Sequence, residues 1–250
     1  MTPTERKIDE NYRAVQARIA AVCRRTGRDP ASVTLVAVTK YAELDWVGCL
    51  VGLGVIELGE SRPQQLVQRA QQIESPVHWH LIGPLQRNKV RSILPLTTLI
   101  HSADSLRLLE TIDRIAGELA LRPRVLMEVN LSREAAKHGF QTEDLLAAWP
   151  NILQLKNVQI EGLMTMAAYS PNPENARSAF AGLRRLRDEL QSRSAGTGVR
   201  LEHLSMGMTG DFEVAIEEGA TLVRIGSALW EGLEARTPFR GADETDVFPP

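Results

Sequence analysis

The sequence predicts an α/β protein folded as a (β/α)8 barrel of the TIM type, and three observations carry that prediction. Eight short apolar runs, many of them rich in β-branched residues, recur along the 250 residues. Stretches of helical periodicity separate each run from the next. The first run, Val33-Thr34-Leu35-Val36-Ala37-Val38-Thr39, is apolar almost throughout rather than alternating, as a strand buried on both faces of a parallel sheet must be. A doubly wound open sheet is the competing arrangement. Eight strand–helix alternations in a chain of this length favour the barrel, with one additional helix at the amino terminus.

Taken in order, Thr2-Pro3-Thr4-Glu5 forms a capping box with proline at the first helical position. Ile8, Tyr12, Val15, Ile19 and Val22 follow at spacings of three and four, giving an amphipathic helix that stops at Gly27. The first strand then ends on Lys40. A helix over 43–53 and a strand over 55–58 come next, and Ser61 with Gln64 forms a capping box for the following helix. Strands over 77–82 and 97–101 alternate with helices over 86–94 and 105–120, the latter opened by Asp104. The fifth strand covers 124–130 and leads through a loop over 131–140 to a helix over 142–149. After the sixth strand, 158–164, a loop containing Pro171 and Pro173 precedes a helix with Ala179, Leu183, Leu186 and Leu190 on its apolar face. Its arginines, Arg177, Arg184, Arg185, Arg187 and Arg193, read as a solvated face. Strand 200–204, helix 211–218, strand 221–225 and a final helix from near Ser227 complete the set. The residues from about 233 onward have no periodicity and are expected to lie irregularly on the surface of a single domain spanning 1–250.

Composition narrows the function. A barrel of this length buries roughly 75% of its unfolded surface, so a monomer without staples is expected. Cys23 and Cys49 have no metal-ligand or Cys-x-x-Cys spacing and read as small core residues in a reducing cytoplasm. A net charge of −2 and a pI near 6.2 argue against a nucleic-acid footprint. No apolar run approaches the ~18 residues of a membrane span, and none follows the amino terminus as a signal region would. Neither nucleic acid nor membrane is therefore expected as a partner.

Barrel chemistry lies at the carboxyl ends of the strands. The first strand ends there on Lys40, and desolvation at such a place can lower a lysine pKa by up to ~3–5 units. A neutral amine condenses with carbonyls to a Schiff base. The plain alternative is a solvated loop lysine. The other strand ends supply Gly59-Glu60, His80 and Gly83, Asn130, Met164, Ser205-Met206-Gly207-Met208-Thr209, and Arg224 with Gly226-Ser227. Loops after the seventh and eighth strands commonly bind phosphate, and Ser205, Gly207, Thr209, Gly226 and Ser227 provide close backbone approach, hydroxyl donors and helix starts. Ordinary helix capping is the alternative for each loop alone. A Schiff-base lysine facing a phosphate site fits pyridoxal phosphate and equally a sugar-phosphate aldolase. His78 and His80 stand two apart on one strand face, but His101, His203 and His138 are scattered, and no metal site is expected. There is no nucleophile elbow, P-loop or Gly-x-Gly-x-x-Gly.

These motifs, in this order, resemble the pyridoxal-phosphate homeostasis protein family, whose barrel is similar to the amino-terminal domain of alanine racemase. The resemblance runs from about Val33 to Gly232. Ala37-Val38-Thr39-Lys40 looks like the family's Ala-Val-Ser-Lys, Gly59-Glu60 like its second-strand motif, and Trp79-His80-Leu81-Ile82-Gly83 with Leu85-Gln86-x-Asn88-Lys89 like its third. Glu128-Val129-Asn130, Lys137-x-Gly139, Gly162-Leu163-Met164, Leu204-Ser205-Met206-Gly207-Met208 and Val223-Arg224-Ile225-Gly226 follow. The resemblance implies Lys40 as the Schiff-base lysine, Ser205, Thr209, Gly226 and Ser227 beside the phosphate, and Arg224 near the pyridine nitrogen. An arginine there can only donate, which leaves the ring nitrogen unprotonated and the ring a weaker electron sink. Three departures concern the pocket: Ser61 stands where the family usually has asparagine, Thr39 replaces serine, and Tyr41-Ala42 replaces a smaller polar residue and a nearby proline.

The expectation is a cytoplasmic protein that holds pyridoxal 5′-phosphate on Lys40 and acts in vitamin B6 homeostasis with little or no turnover, because the second domain that supplies alanine racemase with its acid/base tyrosine is missing. Cofactor-requiring apoenzymes are candidate partners. A small amino-acid racemase or Schiff-base aldolase is the enzymatic alternative, and a cofactor-free protein-binding regulator the third.

Overall fold

Local sequence rules account for the first element directly. Thr2 Oγ1 accepts from the Glu5 N–H at 3.2 Å and Thr2 N donates to Glu5 Oε2 at 2.7 Å, so the capping box opens helix α1 (Pro3–Arg25). Its Ile8, Val15, Ile19, Val22 and Cys23 are buried as one stripe. The computed structural model describes residues 1–131 and 138–234. It continues with β1 (Thr34–Val38), α2 (Leu44–Gly52), β2 (Glu57–Glu60), α3 (Pro63–Gln72), β3 (His78–Leu81), α4 (Val90–Ile93), β4 (Leu99–Ala103), α5 (Leu106–Leu119), β5 (Arg124–Glu128), α6 (Thr142–Ile152), β6 (Gln159–Met164), α7 (Arg177–Arg193), β7 (His203–Ser205), α8 (Phe212–Glu217) and β8 (Leu222–Ile225).

All eight strands are parallel and pair in sequence order, with β8 returning to β1. In that closing pair Val36 lies beside Arg224 and Ala37 beside Ile225. Strand residues two apart share a face, so each strand sends one set of side chains into the barrel and the other towards the helices. The outward set joins the helices in the main core. The inward set includes a small apolar cluster of Val36, Leu99, Leu126, Met164 and Leu222. Around it the barrel interior is unusually polar, with buried His80, His101, Ser205 and Arg224.

The amino-terminal helix is not simply an addition. Among the described residues β8 is followed by a 3-10 turn, Ser227–Leu229, where the sequence suggested a final helix. Helix α1 packs against α2, α8 and that turn, and so occupies the outer position between α8 and α2. Asn11 pins it there, donating through Nδ2 to Leu229 O at 3.1 Å and Glu231 O at 2.9 Å. Trp230 Nε1 in turn donates to Val38 O at 3.0 Å, tying the same segment to β1.

Several boundaries also differ from the sequence expectation. Strand β2 begins two residues beyond Val55, whose side chain belongs to the outer core, while Glu57 and Gly59 lie on the polar inner face that hides the strand's periodicity. The Ser61–Gln64 capping box does not form, because α3 starts from Arg62 with Pro63 at its first position and no side-chain cap bond. Ser105 rather than Asp104 caps α5, accepting from the Leu108 N–H at 3.3 Å. Only Val90–Ile93 of the fourth helical stretch is α-helical, after a 3-10 turn over Arg87–Lys89. Arg177 and Arg184 on α7 are engaged with Glu174, Glu217 and Glu218 rather than merely solvated. No helix among the described residues is long and apolar enough to cross a membrane.

Candidate functional site

Lys40 follows the last residues of β1 and keeps the parity of Val36, which faces the barrel interior. It is half-buried, and its Nζ lies 4.7 Å from the centroid of the Tyr41 ring. Among the described residues it has no carboxylate partner within ion-pair distance. Thr39 faces the other way: its Oγ1 donates to Glu60 Oε1 at 2.6 Å, which also receives Arg69 Nε at 2.8 Å. Arg69 Nη2 donates to Ala42 O at 2.6 Å and Gln65 Nε2 to Lys40 O at 3.4 Å. The lysine's backbone is therefore braced from behind the sheet by β2 and α3. Burial raises the Glu60 carboxyl pKa against the bonds from Thr39 and Arg69, and burial lowers that of Arg69. Among the described residues, Glu60 Oε2 and Arg69 Nη1 stay buried with no hydrogen-bond partner.

Register places Lys40 next to the end of β8. Val38 sits one step beyond the Ala37–Ile225 pair, and a Cβ on Gly226 would lie 3.3 Å from Val38 Cβ. Across β8, Gly207 follows β7 with φ +92°, and a Cβ there would come within 2.6 Å of Ala215 Cβ and 2.8 Å of Phe212 Cα. Only glycine turns the chain so tightly over α8. The Met208 N–H is taken by Asp211 Oδ1 at 2.6 Å. Those of Gly207, Thr209, Gly226 and Ser227 meet no protein acceptor among the described residues. These amides form a set of unused donors at the ends of β7 and β8, beside the lysine. Helix α8 has six residues and the turn after β8 three, so loop amides, more than helix dipoles, would provide the anion site.

The other expected site residues separate by depth. Met206 is fully buried in the outer core and can offer only its backbone. The Ser205 side chain is turned into the barrel, where Arg224 Nη1 donates to its Oγ at 2.6 Å. Arg224 Nη2 donates to Thr165 O at 3.0 Å. Burial lowers the Arg224 pKa to about 10, opposed by Asp211 and Glu128, so it stays cationic at neutral pH. His80 lies mid-barrel, level with Gly59 and Leu99, and faces His101 and Glu57. Met164 belongs to the interior cluster, and buried Asn130 donates its N–H to Phe140 O at 2.9 Å. Lys137 lies outside the described residues. Among those described, no three His, Cys, Asp or Glu side chains are grouped to hold a metal ion.

Sequence reasoning missed Glu128 as a chemical group. It is 4% exposed on the last residue of β5, and burial, reinforced by Asp104 and opposed by Arg224, raises its pKa to about 7. The alternation Leu126, Glu128, Asn130 from the interior-facing Leu126 was the available clue to its direction.

A parallel barrel with a lysine after its first strand and a buried arginine on its last belongs to a known class: the family described as "Alanine racemase, N-terminal domain" matches residues 6–233. Within that class the chain belongs to the pyridoxal phosphate homeostasis protein family. It is 40% identical over 222 residues to the pyridoxal phosphate homeostasis protein of Aquifex aeolicus, covering 88% of this chain and 96% of that one. PipY of Synechococcus elongatus, solved with PLP bound, is 36% identical and superposes with a TM-score of 0.76 over 86% of this chain and 99% of that chain. Alanine racemase from Clostridium difficile shares the fold, with a TM-score of 0.68 at 16% identity, over 92% of this chain and 59% of that one.

Proposed function

We propose that this chain is a single-domain, monomeric, cytoplasmic carrier of pyridoxal 5′-phosphate, which it holds as a Schiff base on Lys40 and releases with little or no turnover. The observation that carries the reading is the half-buried Lys40 amine, without an ion-pair partner among the described residues, beside the unused amides of Gly226 and Ser227. A carbonyl and a phosphate on one small molecule would satisfy both. Relatives named for pyridoxal phosphate homeostasis, and a relative solved with PLP, support it.

In this assignment the amides of Gly207, Thr209, Gly226 and Ser227, with the Thr209 and Ser227 hydroxyls, hold the phosphate. Ser205 acts through Arg224, Met206 contributes backbone, and Asn130 and Met164 line the far wall. His80 acts from below through its hydrogen bonds. Arg224 stands at the ring nitrogen as a donor only, which leaves a bound ring poorly suited to accept electrons. Tyr169 is 70% exposed and Tyr12 lies on the outer helix α1, which leaves Tyr41, 62% exposed with its ring 4.7 Å from Lys40 Nζ, as the tyrosine to change if turnover appears.

Glu128 favours a second reading, in which the protein is a weak racemase or Schiff-base aldolase, because a carboxyl with a pKa of about 7 suits general acid/base work. Loading the protein with cofactor, then mixing it with an apoenzyme that needs pyridoxal phosphate, separates the two. The carrier reading expects the apoenzyme to gain activity while D- and L-amino acids and sugar phosphates pass unchanged. Turnover that is lost in both Lys40→Ala and Glu128→Gln would overturn it in favour of the enzyme.

A further inference from the structure

The barrel interior holds an unbroken file of hydrogen bonds that runs between its two ends. Arg224 Nη1 meets Ser205 Oγ at 2.6 Å, Ser205 Oγ meets His101 Nδ1 at 2.8 Å, His101 Nε2 meets His80 Nδ1 at 2.8 Å, and His80 Nε2 meets Glu57 Oε2 at 2.7 Å. His101 and Ser205 are completely buried, and Arg224 and His80 nearly so. At the amino-terminal end the file reaches water through Glu57, whose other oxygen pairs with His78 Nδ1 at 2.8 Å.

With one proton on each imidazole, the carboxylate end sets the order of the bonds. Glu57 only accepts, so His80 donates to it through Nε2, and His101 donates through its own Nε2 to His80 Nδ1. Ser205 Oγ, which accepts from Arg224, gives its own proton to His101 Nδ1. Burial works to raise the Glu57 pKa, but its bonds from His80 and His78 outweigh this and hold it below the usual carboxylate range. Burial, with neighbouring His80 and Arg224, keeps His101 neutral.

We propose that His101, His80 and Glu57 are positioning residues: they form a one-way relay that fixes Ser205 and Arg224 beneath the pocket and couples them to protonation at the amino-terminal mouth of the barrel. A second proton on His80 gives it donors on both nitrogens. His101 must then accept at Nε2 and move its proton to Nδ1, and Ser205 Oγ accepts from His101 and Arg224 together. Its hydroxyl hydrogen turns out of the file, and Arg224 then shares its acceptor with a second donor. The charged and titratable groups facing this path are Glu57 on β2, His78 on β3, His101 on β4, the group of Arg124, Glu161 and His203 on β5–β7, and, around Arg224, Glu128 on β5 and Asp211 before α8. In that group Arg124 Nη2 lies 2.7 Å and His203 Nε2 3.8 Å from Glu161 Oε2.

The effect on a bound cofactor rests on the Lys40 reading; the relay itself does not. Nitrogen-15 NMR of histidine-labelled, cofactor-free full-length protein tests it. Wherever His80 holds a single proton, it and His101 should both carry that proton on Nε2, and as His80 takes up a second proton His101 should pass to the Nδ1–H form in step with it. A His101 that already carries its proton on Nδ1, or that keeps Nε2–H while His80 titrates, overturns the relay. Loaded protein gives the second readout: Glu57→Gln, at a half-exposed site distant from Lys40, should shift the pH profile of the visible absorption band relative to wild type. An unshifted profile overturns the coupling to the pocket. Absence of any borohydride-trapped adduct on wild-type Lys40 would instead reject the cofactor reading, and the histidine spectra would still decide the relay.

Discussion

The least conspicuous residue of the site has a large expected pH effect. Glu128 is a solvated acid in an unfolded chain, yet in the native barrel burial raises its pKa to about 7. Between its ordinary value and about 7 the native state binds more protons than the unfolded state, so stability must fall as pH rises through that window. The loss over that window is about 3 kcal/mol, the free energy of moving the carboxyl from its ordinary value to about 7. Urea unfolding at about pH 5 and about pH 8 should show wild type losing stability at the higher pH. Glu128→Gln should flatten that difference, and a variant with the full wild-type difference would show that another group is responsible. None of this was legible from composition or spacing. The residue stands in the quoted Glu128-Val129-Asn130 run, but its burial depends on β5 facing Arg224 and Asp104, which are distant in sequence.

At the scale of elements, rules of local order worked where the cause was local. The Thr2 capping box, the α1 stripe and the run before Lys40 follow from three- and four-residue spacings or from a buried strand's composition. Periodicity failed where tertiary context decided. Strict strand–helix alternation suggested a final helix from Ser227, whereas α1 already occupies that outer position and β8 passes into a short turn. Asn11 is the hinge of this substitution, since its side chain supplies both carbonyls of the turn's end with a donor. Asn11→Ala removes two such bonds and leaves two carbonyls to find other partners, at a cost of about 1–3 kcal/mol. Chemical denaturation should report that loss in the cofactor-free protein. No change in the unfolding midpoint would mean that α1 is held by its apolar stripe alone.

For the whole molecule, the barrel divides its labour along its axis. The carboxyl end gathers Lys40 from β1 and unpaired amides from β7 and β8, while the interior below sets two hydrogen-bonded histidines beside a small apolar cluster, where such barrels usually pack branched apolar side chains throughout. The first half of that plan was legible in sequence, because barrel topology assigns strand ends to one face and glycine-rich loops identify close backbone approach. The second half was not. His80, His101, Ser205 and Arg224 come from β3, β4, β7 and β8, and only closure of the sheet makes them neighbours. Read along the chain, His101 looked isolated and Ser205 looked like a phosphate ligand, when its hydroxyl is committed to the interior.

The most direct test of the central claim is chemical trapping. Wild-type protein supplemented with pyridoxal 5′-phosphate, reduced with borohydride and digested, should yield one pyridoxyl adduct, on the peptide carrying Lys40 and at that residue, with Lys40→Ala losing it. A wild-type protein that takes up no cofactor, or carries the adduct on another lysine while Lys40 stays unmodified, would contradict the account.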